Sequence, residues 1–202
     1  MVAVIKYNAG NIRSVAFALE RLGIDFKITD NHEEIQKADK VIFPGVGEAR
    51  STMDYLIAHK LDKVIKGLTQ PVLGICLGMQ LMCAHSEEND TPCLGIFDET
   101  VKLFKPTNKE KVPHMGWNSL TVNQSWIDLS LDKQFVYFVH SYYVPVNIFS
   151  SATTEYILKF SSAMKKNNFY AVQFHPEKSA AIGEKVLLSF LKNCKSPTKS
   201  KT

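Results

Sequence analysis

Apolar positions in the first half of the chain follow two alternating rhythms. Residues 2–7, 26–29, 40–43 and 72–75 are short apolar or β-branched runs, and each predicts a strand. Between them the spacing stretches to that of a helix. Val15, Leu19 and Leu22 form one such stripe, with Asn11 placed to cap it and Gly23 to stop it. Asn31-His32-Glu33-Glu34 reads as a second helix start of capping-box type, and a further helix is expected over 47–58. Strands alternating with helices predict an α/β fold with helices on both faces of a mainly parallel central sheet. Ligands bind such sheets at the carboxyl edge.

From about Cys93 the rhythm changes. Residues 101–104, 135–139, 154–158 and 169–174 read as strands with few helices between them, and Lys165-Lys166-Asn167-Asn168 as a hairpin turn. The sheet is therefore expected to be mixed, with a more antiparallel C-terminal extension. A last helix over 179–191 turns Ile182, Val186, Leu187 and Phe190 to the core. One domain over 1–194 is expected, followed by a polar, frayed tail over 195–202.

Composition narrows the class. A chain of 202 residues with 45% hydrophobic and 22% charged residues is that of an ordinary soluble domain. The net charge of +4 is partly owed to Lys195, Lys199 and Lys201, and no basic block with interleaved aromatics suggests nucleic acid. The N-terminus is too short and too polar beyond Ile5 for a signal peptide, and no apolar run reaches the roughly 18 residues of a membrane span. A cytoplasmic location is expected. Cys76, Cys83, Cys93 and Cys194 form no Cys-x-x-Cys pair, so neither disulfides nor a metal site is expected, and no cofactor.

The chemistry-bearing stretch is Leu73-Gly74-Ile75-Cys76-Leu77-Gly78-Met79-Gln80. A strand running into Gly-x-Cys-x-Gly and then a helix is the pattern of a nucleophile elbow with cysteine at its apex. Gly74 and Gly78 remove side chains that would clash in the turn. Cysteine at a helix N-terminus is favoured as thiolate. Alone, the pattern equally fits a buried structural cysteine. A second stretch, Gln173-Phe174-His175-Pro176-Glu177, also follows an apolar run. Histidine and glutamate two residues apart at a strand end can supply a general base and the carboxylate that orients it. Together the two stretches predict a Cys76–His175–Glu177 triad. Gln80 lies four residues after Cys76, on the same helical face, or else reaches solvent.

These motifs resemble the class I (triad) glutamine amidotransferases, over residues 2–194. Pro44-Gly45-Val46-Gly47, Pro113-His114-Met115-Gly116-Trp117-Asn118 and Val139-His140-Ser141-Tyr142-Tyr143 narrow the resemblance to the glutaminase subunits of imidazole glycerol phosphate synthases. The resemblance implies glutamine hydrolysis through a cysteine thioester, with an oxyanion hole from the backbone N–H groups of Leu77 and Val46. It implies substrate contacts at Gly47, Gln80, His140, Ser141 and Tyr142. It also implies a TIM-barrel cyclase partner, met by Met115, Trp117, Tyr137 and Lys178, that receives the ammonia in histidine biosynthesis. On the residues alone, Met115 and Trp117 could equally be core. A paralogous subunit feeding another synthase, such as a cell-surface sugar aminating enzyme, would keep most of these motifs. A non-catalytic binding subunit would not need the triad.

Overall fold

A computed structural model describes residues 1–7, 11–107, 109–123 and 126–194. The tail expected over 195–202 lies outside them. The first half contains β1 (Val2–Ile5), α1 (Ile12–Arg21), β2 (Phe26–Thr29), α2 (His32–Lys37), β3 (Lys40–Phe43), α3 (Ala49–Ala58), α4 (Leu61–Lys66), β4 (Val72–Ile75) and α5 (Leu77–Leu81). In the second half come β5 (His85–Ser86), β6 (Thr91–Pro92), β7 (Thr100–Leu103), β8 (His114–Ser119), β9 (Thr121–Val122), β10 (Phe135–His140) and β11 (Tyr142–Tyr143). The chain closes with β12 (Ser150–Tyr156), β13 (Leu158–Lys166), β14 (Phe169–Val172) and α6 (Ala180–Asn193).

The main sheet runs β2-β1-β3-β4-β14-β13-β12-β9. Its first five strands are parallel, and pairing turns antiparallel from β14 outward. This is the mixed α/β sheet expected. Alternation along each strand builds the two cores. Val2, Val4, Ile42, Leu73 and Val172 face the layer of Val15, Leu19, Val186 and Phe190 from α1 and α6. Ala3, Ile5, Val41, Phe43 and Val72 face Ile35, Met53, Leu56 and Ile65 from α2, α3 and α4.

Three expectations need correction. Asn11 precedes α1 but makes no capping bond; its side chain is used elsewhere, as described below. The strand expected over 154–158 is interrupted: 154–156 are the end of β12, but the chain turns at Ile157, which takes φ 60°, so that Tyr156 pairs with Leu158 at the start of β13. A β-branched residue is a poor turn former, so nothing local announces that turn. Asn31 does cap α2 by accepting from the Glu34 N–H, but Glu34 itself bonds Lys27 and Thr29 rather than closing the box. Helix α4 and strand β8 carried no clear periodic signal.

The glycines show why the elbow packs as it does. A Cβ on Gly78 would sit 2.2 Å from the Phe43 carbonyl oxygen, and one on Gly45 2.1 Å from the Gly78 nitrogen. The end of β3 and the start of α5 touch backbone to backbone there. Gly78→Ala is therefore expected to destabilise by about 3 kcal/mol or more, since neither backbone can yield. For a domain of this size that lowers Tm by roughly 6–12 °C. A calorimetric Tm within 2 °C or so of wild type would contradict the packing.

Candidate active site

The site lies at the carboxyl edge of the central parallel strands. Strand β4 ends at Ile75, and Cys76 turns the chain into α5 with φ 52° and ψ −109°. That conformation is rare for a residue with a side chain, and it persists because its surroundings hold it. The Cys76 N–H donates to the Val172 carbonyl at 2.8 Å, tying the elbow to β14. The sulfur lies 3.8 Å from the Val139 carbonyl and 3.6 Å from the Gln173 side-chain amide. Helix α5 starts at Leu77 and runs for five residues.

Strand β14 delivers the second half. His175 is 1% exposed, and its Nδ1 donates to Glu177 Oε1 at 2.7 Å. Asn11 Nδ2 donates to the same carboxylate oxygen, while the other oxygen is buried with no hydrogen bond among the described residues. Three anchors fix the imidazole's backbone. The His175 N–H donates to Tyr137 O at 2.9 Å. Ser179 Oγ donates to His175 O at 2.6 Å and accepts from the Tyr137 N–H at 2.9 Å. Burial works to strip the proton from His175, but the Cys76 sulfur and the Glu177 carboxylate outweigh it and push the pKa up to about 10. Imidazole Nε2 has no hydrogen bond among the described residues, leaving its proton available on the Cys76 side.

Cys76 and His175 open into a cavity of about 330 Å³. All nine of the sequence-expected catalytic, oxyanion and substrate residues other than Glu177 line it: Val46, Gly47, Cys76, Leu77, Gln80, His140, Ser141, Tyr142 and His175. Glu177 stands behind the histidine, away from the cavity wall. Gln80 is 4% exposed and donates to Tyr142 O at 2.9 Å and to Gln173 Oε1 at 3.0 Å, so its solvent-reaching alternative does not hold. His140 is no rival base. Burial above all drives its pKa down to about 3, its Nδ1 donates to Tyr142 O at 2.7 Å, and its Nε2 lies 3.1 Å from His114 Nδ1. Among the described residues no carboxylate orients it.

The loop before α3 is held at both ends. Tyr7 donates its hydroxyl to the Pro44 carbonyl, and Gly45 is wedged against the backbone of Leu77 and Gly78. Gly47 takes φ 120°, a conformation that favours glycine. Beyond it, Glu48 caps α3 through the N–H groups of Arg50 and Ser51.

Met115 and Trp117 are 64% and 53% exposed, so they are not core. In the two-stranded ribbon, Met115 pairs with Val139 and Trp117 with Tyr137, which puts them on one face with Phe135. Phe135 is also exposed, and the Trp117 and Tyr137 rings meet edge to face at 6.1 Å. Lys178 is exposed next to the triad. This apolar face adjoins the site directly, since Val139 lines the cavity and Tyr137 holds His175.

Sequence reasoning missed Asn11, Gln173 and Glu88. Asn11 follows β1 at the same carboxyl edge that carries the other site residues, and that edge rule could have found it. Glu88 lines the cavity from the β5–β6 turn; burial, partly offset by the Ala49 N–H, raises its pKa. It lies in an acidic run, Glu87-Glu88-Asn89-Asp90, with no periodic signal. Among the described residues no three His, Cys, Asp or Glu side chains group to hold a metal, and no helix is long and apolar enough to cross a membrane. The four cysteines are free thiols.

Comparison with known proteins gives the same placement. Relatives along the whole chain carry the name imidazole glycerol phosphate synthase subunit HisH. The protein of that name from Bacteroides thetaiotaomicron is 60% identical over 192 residues, covering 94% of this chain and 98% of its own. One from Legionella pneumophila is 48% identical over 193 residues, covering 95% and 97%. The fold matches a solved crystal structure of a glutamine amidotransferase, with TM-score 0.67 at 19% identity over 95% of this chain and 97% of that one. It also matches PurLQS from Thermotoga maritima, with TM-score 0.69 at 16% identity over 94% and 96%. Residues 3–194 match the profile of the family described as glutamine amidotransferase class-I, and with an elbow cysteine and a histidine sharing one cavity and a buried glutamate behind that histidine, the chain belongs to that family.

Proposed function

We propose that the chain is the glutamine-hydrolysing subunit of an imidazole glycerol phosphate synthase, with Cys76, His175 and Glu177 as its triad. The observation that carries this reading is the His175–Glu177 bond at 2.7 Å beside the elbow cysteine. Cys76 attacks the side-chain amide carbon of glutamine as thiolate, and the carbonyl π electrons move onto oxygen. The N–H groups of Leu77 and Val46 receive that oxyanion. His175 gives its proton to the departing nitrogen, which leaves as ammonia, and a thioester of glutamate remains. His175 then takes a proton from water as it attacks the thioester, releasing glutamate and the thiolate. Glu177, steadied by Asn11, holds the imidazole with its Nε2 toward sulfur.

Glu88 suits the α-ammonium of the substrate, being the acidic side chain that lines the cavity. Gly47, Gln80 and the 140–142 segment complete the wall around the amino acid. Ammonia that escaped to water would be protonated and lost, so a synthase gains by receiving it directly. The exposed face of Met115, Trp117, Phe135 and Tyr137, with Lys178 beside it, is apolar and borders the triad. Aromatic residues and methionine are enriched in interface cores. We assign this face to a TIM-barrel cyclase that joins the ammonia to a phosphoribulosyl aminoimidazole carboxamide ribonucleotide. The products are imidazole glycerol phosphate and AICAR.

Because the face adjoins the site through Val139 and Tyr137, cyclase binding should raise glutaminase turnover. Gly45 is wedged, so the freedom to reorient the Val46 N–H rests on Gly47. Recruiting one missing oxyanion donor is worth on the order of a hundredfold in kcat. The test measures glutaminase kcat for the isolated chain, with cyclase, and with cyclase plus its nucleotide ligand. Successive increases are expected, weakened in Gly47 and Lys178 variants that still assemble. Equal kcat in all three states would exclude this coupling.

A further inference from the structure

The β5–β6 turn is fastened to the start of α3 by a set of bonds that the reaction itself does not require. Arg50 reaches from the first turn of α3 and donates to the carbonyls of Asn89 at 2.9 Å and Asp90 at 2.7 Å. Asn89 Nδ2 donates to Glu48 Oε1 at 2.7 Å, the carboxylate that also caps α3. Glu88 Oε2 accepts from the Ala49 N–H at 2.8 Å, and its other oxygen takes no hydrogen bond among the described residues. Asn89 and Asp90 both adopt φ near 50°, at 51° and 48°, the left-handed region that Asn and Asp tolerate best among residues with side chains, so the tip is a tight turn of defined shape. The Glu48 carboxyl is held near 2, its hydrogen bonds to Ser51, Asn89 and Arg50 outweighing burial.

We propose that Arg50, with Glu48 and Asn89, is a positioning clamp that sets the Glu88 carboxylate for the substrate's α-ammonium and so determines affinity for glutamine rather than the rate of its hydrolysis. The proposal rests on the reading of Glu88 given above. None of the three clamp residues lines the cavity, and the groups they hold are carbonyls and a side chain of the turn. A free Arg50 side chain could not do this by charge alone. One guanidinium nitrogen, Nη2, bonds both successive carbonyls, and the planar guanidinium holds that donor in place with less loss of side-chain freedom than a flexible ammonium stem would need.

The test compares wild type, Arg50→Met, Arg50→Lys and Glu88→Gln in the full chain with cyclase bound. Substrates are L-glutamine and glutaramate, the same molecule without its α-ammonium. Arg50→Met is expected to raise KM for glutamine about tenfold, as loss of one charge-assisted contact would, with kcat within about twofold. Arg50→Lys should fall between, and it carries the comparison if Arg50→Met folds poorly. Toward glutaramate, kcat/KM should be unchanged in Arg50→Met and Arg50→Lys, because the contact being spoiled does not exist. An equal loss with both substrates, or a fall in kcat at constant KM, would overturn the clamp. Glu88→Gln with unaltered KM for glutamine would instead remove the ammonium contact, and the clamp with it. Glu88→Gln impaired while Arg50→Met matches wild type would overturn the clamp alone.

Discussion

Cys76→Ala is expected to abolish glutamine hydrolysis, by a factor on the order of 10⁶ in kcat, while synthesis from added ammonium salts by the assembled enzyme continues. Cys76 carries the thiol that lines the cavity. The other three cannot stand in for it. Cys83 is fully buried, and burial drives its pKa far up; burial likewise pushes Cys93 to about 12 and raises Cys194. Alanine removes one sulfur atom and leaves the Cys76 N–H bond to Val172 in place, so the fold and the cyclase interface should survive. Two measurements check this. One is glutaminase activity beside ammonium-dependent synthesis in the same preparation. The other is the attachment site of an electrophilic glutamine analogue, expected at Cys76. Residual glutamine hydrolysis by the variant, or labelling at Cys83, Cys93 or Cys194, would sink the nucleophile assignment.

The second large effect separates the two partners of that thiol. His175→Ala should be nearly as inactive as Cys76→Ala, because both proton transfers pass through Nε2. Glu177→Gln should retain measurable activity, on the order of 10³- to 10⁴-fold reduced, since the carboxylate orients the ring and steadies its charge without exchanging a proton. The sign of the pH effect follows from the same contacts. Burial lowers the His175 pKa, whereas Cys76 and Glu177 raise it to about 10. Removing the Glu177 charge takes away one of the raising contributions, so the alkaline limb of kcat/KM should move to lower pH. A Glu177→Gln enzyme with wild-type activity and an unshifted profile, combined with a lethal His140→Ala, would force the roles to be redrawn around His140.

Much of this was legible because it is local. Strands β1 to β4 and helices α1 to α3 follow from apolar spacing and helix-start signals over a few residues, and the elbow glycines from the crowding of a strand turning straight into a helix. The His-Pro-Glu spacing puts an imidazole and a carboxylate within reach of each other, although Tyr137, Ser179 and Asn11 fix the pair in place. Gln80 could be put on the Cys76 face by helical geometry, but not given its partners. Those came from Gln173, just after β14, and from Tyr142 in β11, 93 and 62 residues away.

What the sequence determined by itself, then, was the set of groups and their order along the chain: a thiol at a strand–helix turn, a base with its orienting acid, and an alternating α/β frame to hold them. The tertiary structure alone decided who meets whom. Placing β14 beside β4 brings Gln173 to the Cys76 sulfur across 97 residues, and packing α1 on the His175 turn lets Asn11 leave its capping position for Glu177 across 166. Exposure of Met115 and Trp117 was decided there too, because an apolar residue in a short ribbon reads the same whether its face is covered or bare. The division has one physical cause. Local sterics and backbone hydrogen bonding act between neighbours in sequence, whereas the contacts that complete the site depend on which faces and edges remain once the sheet has formed.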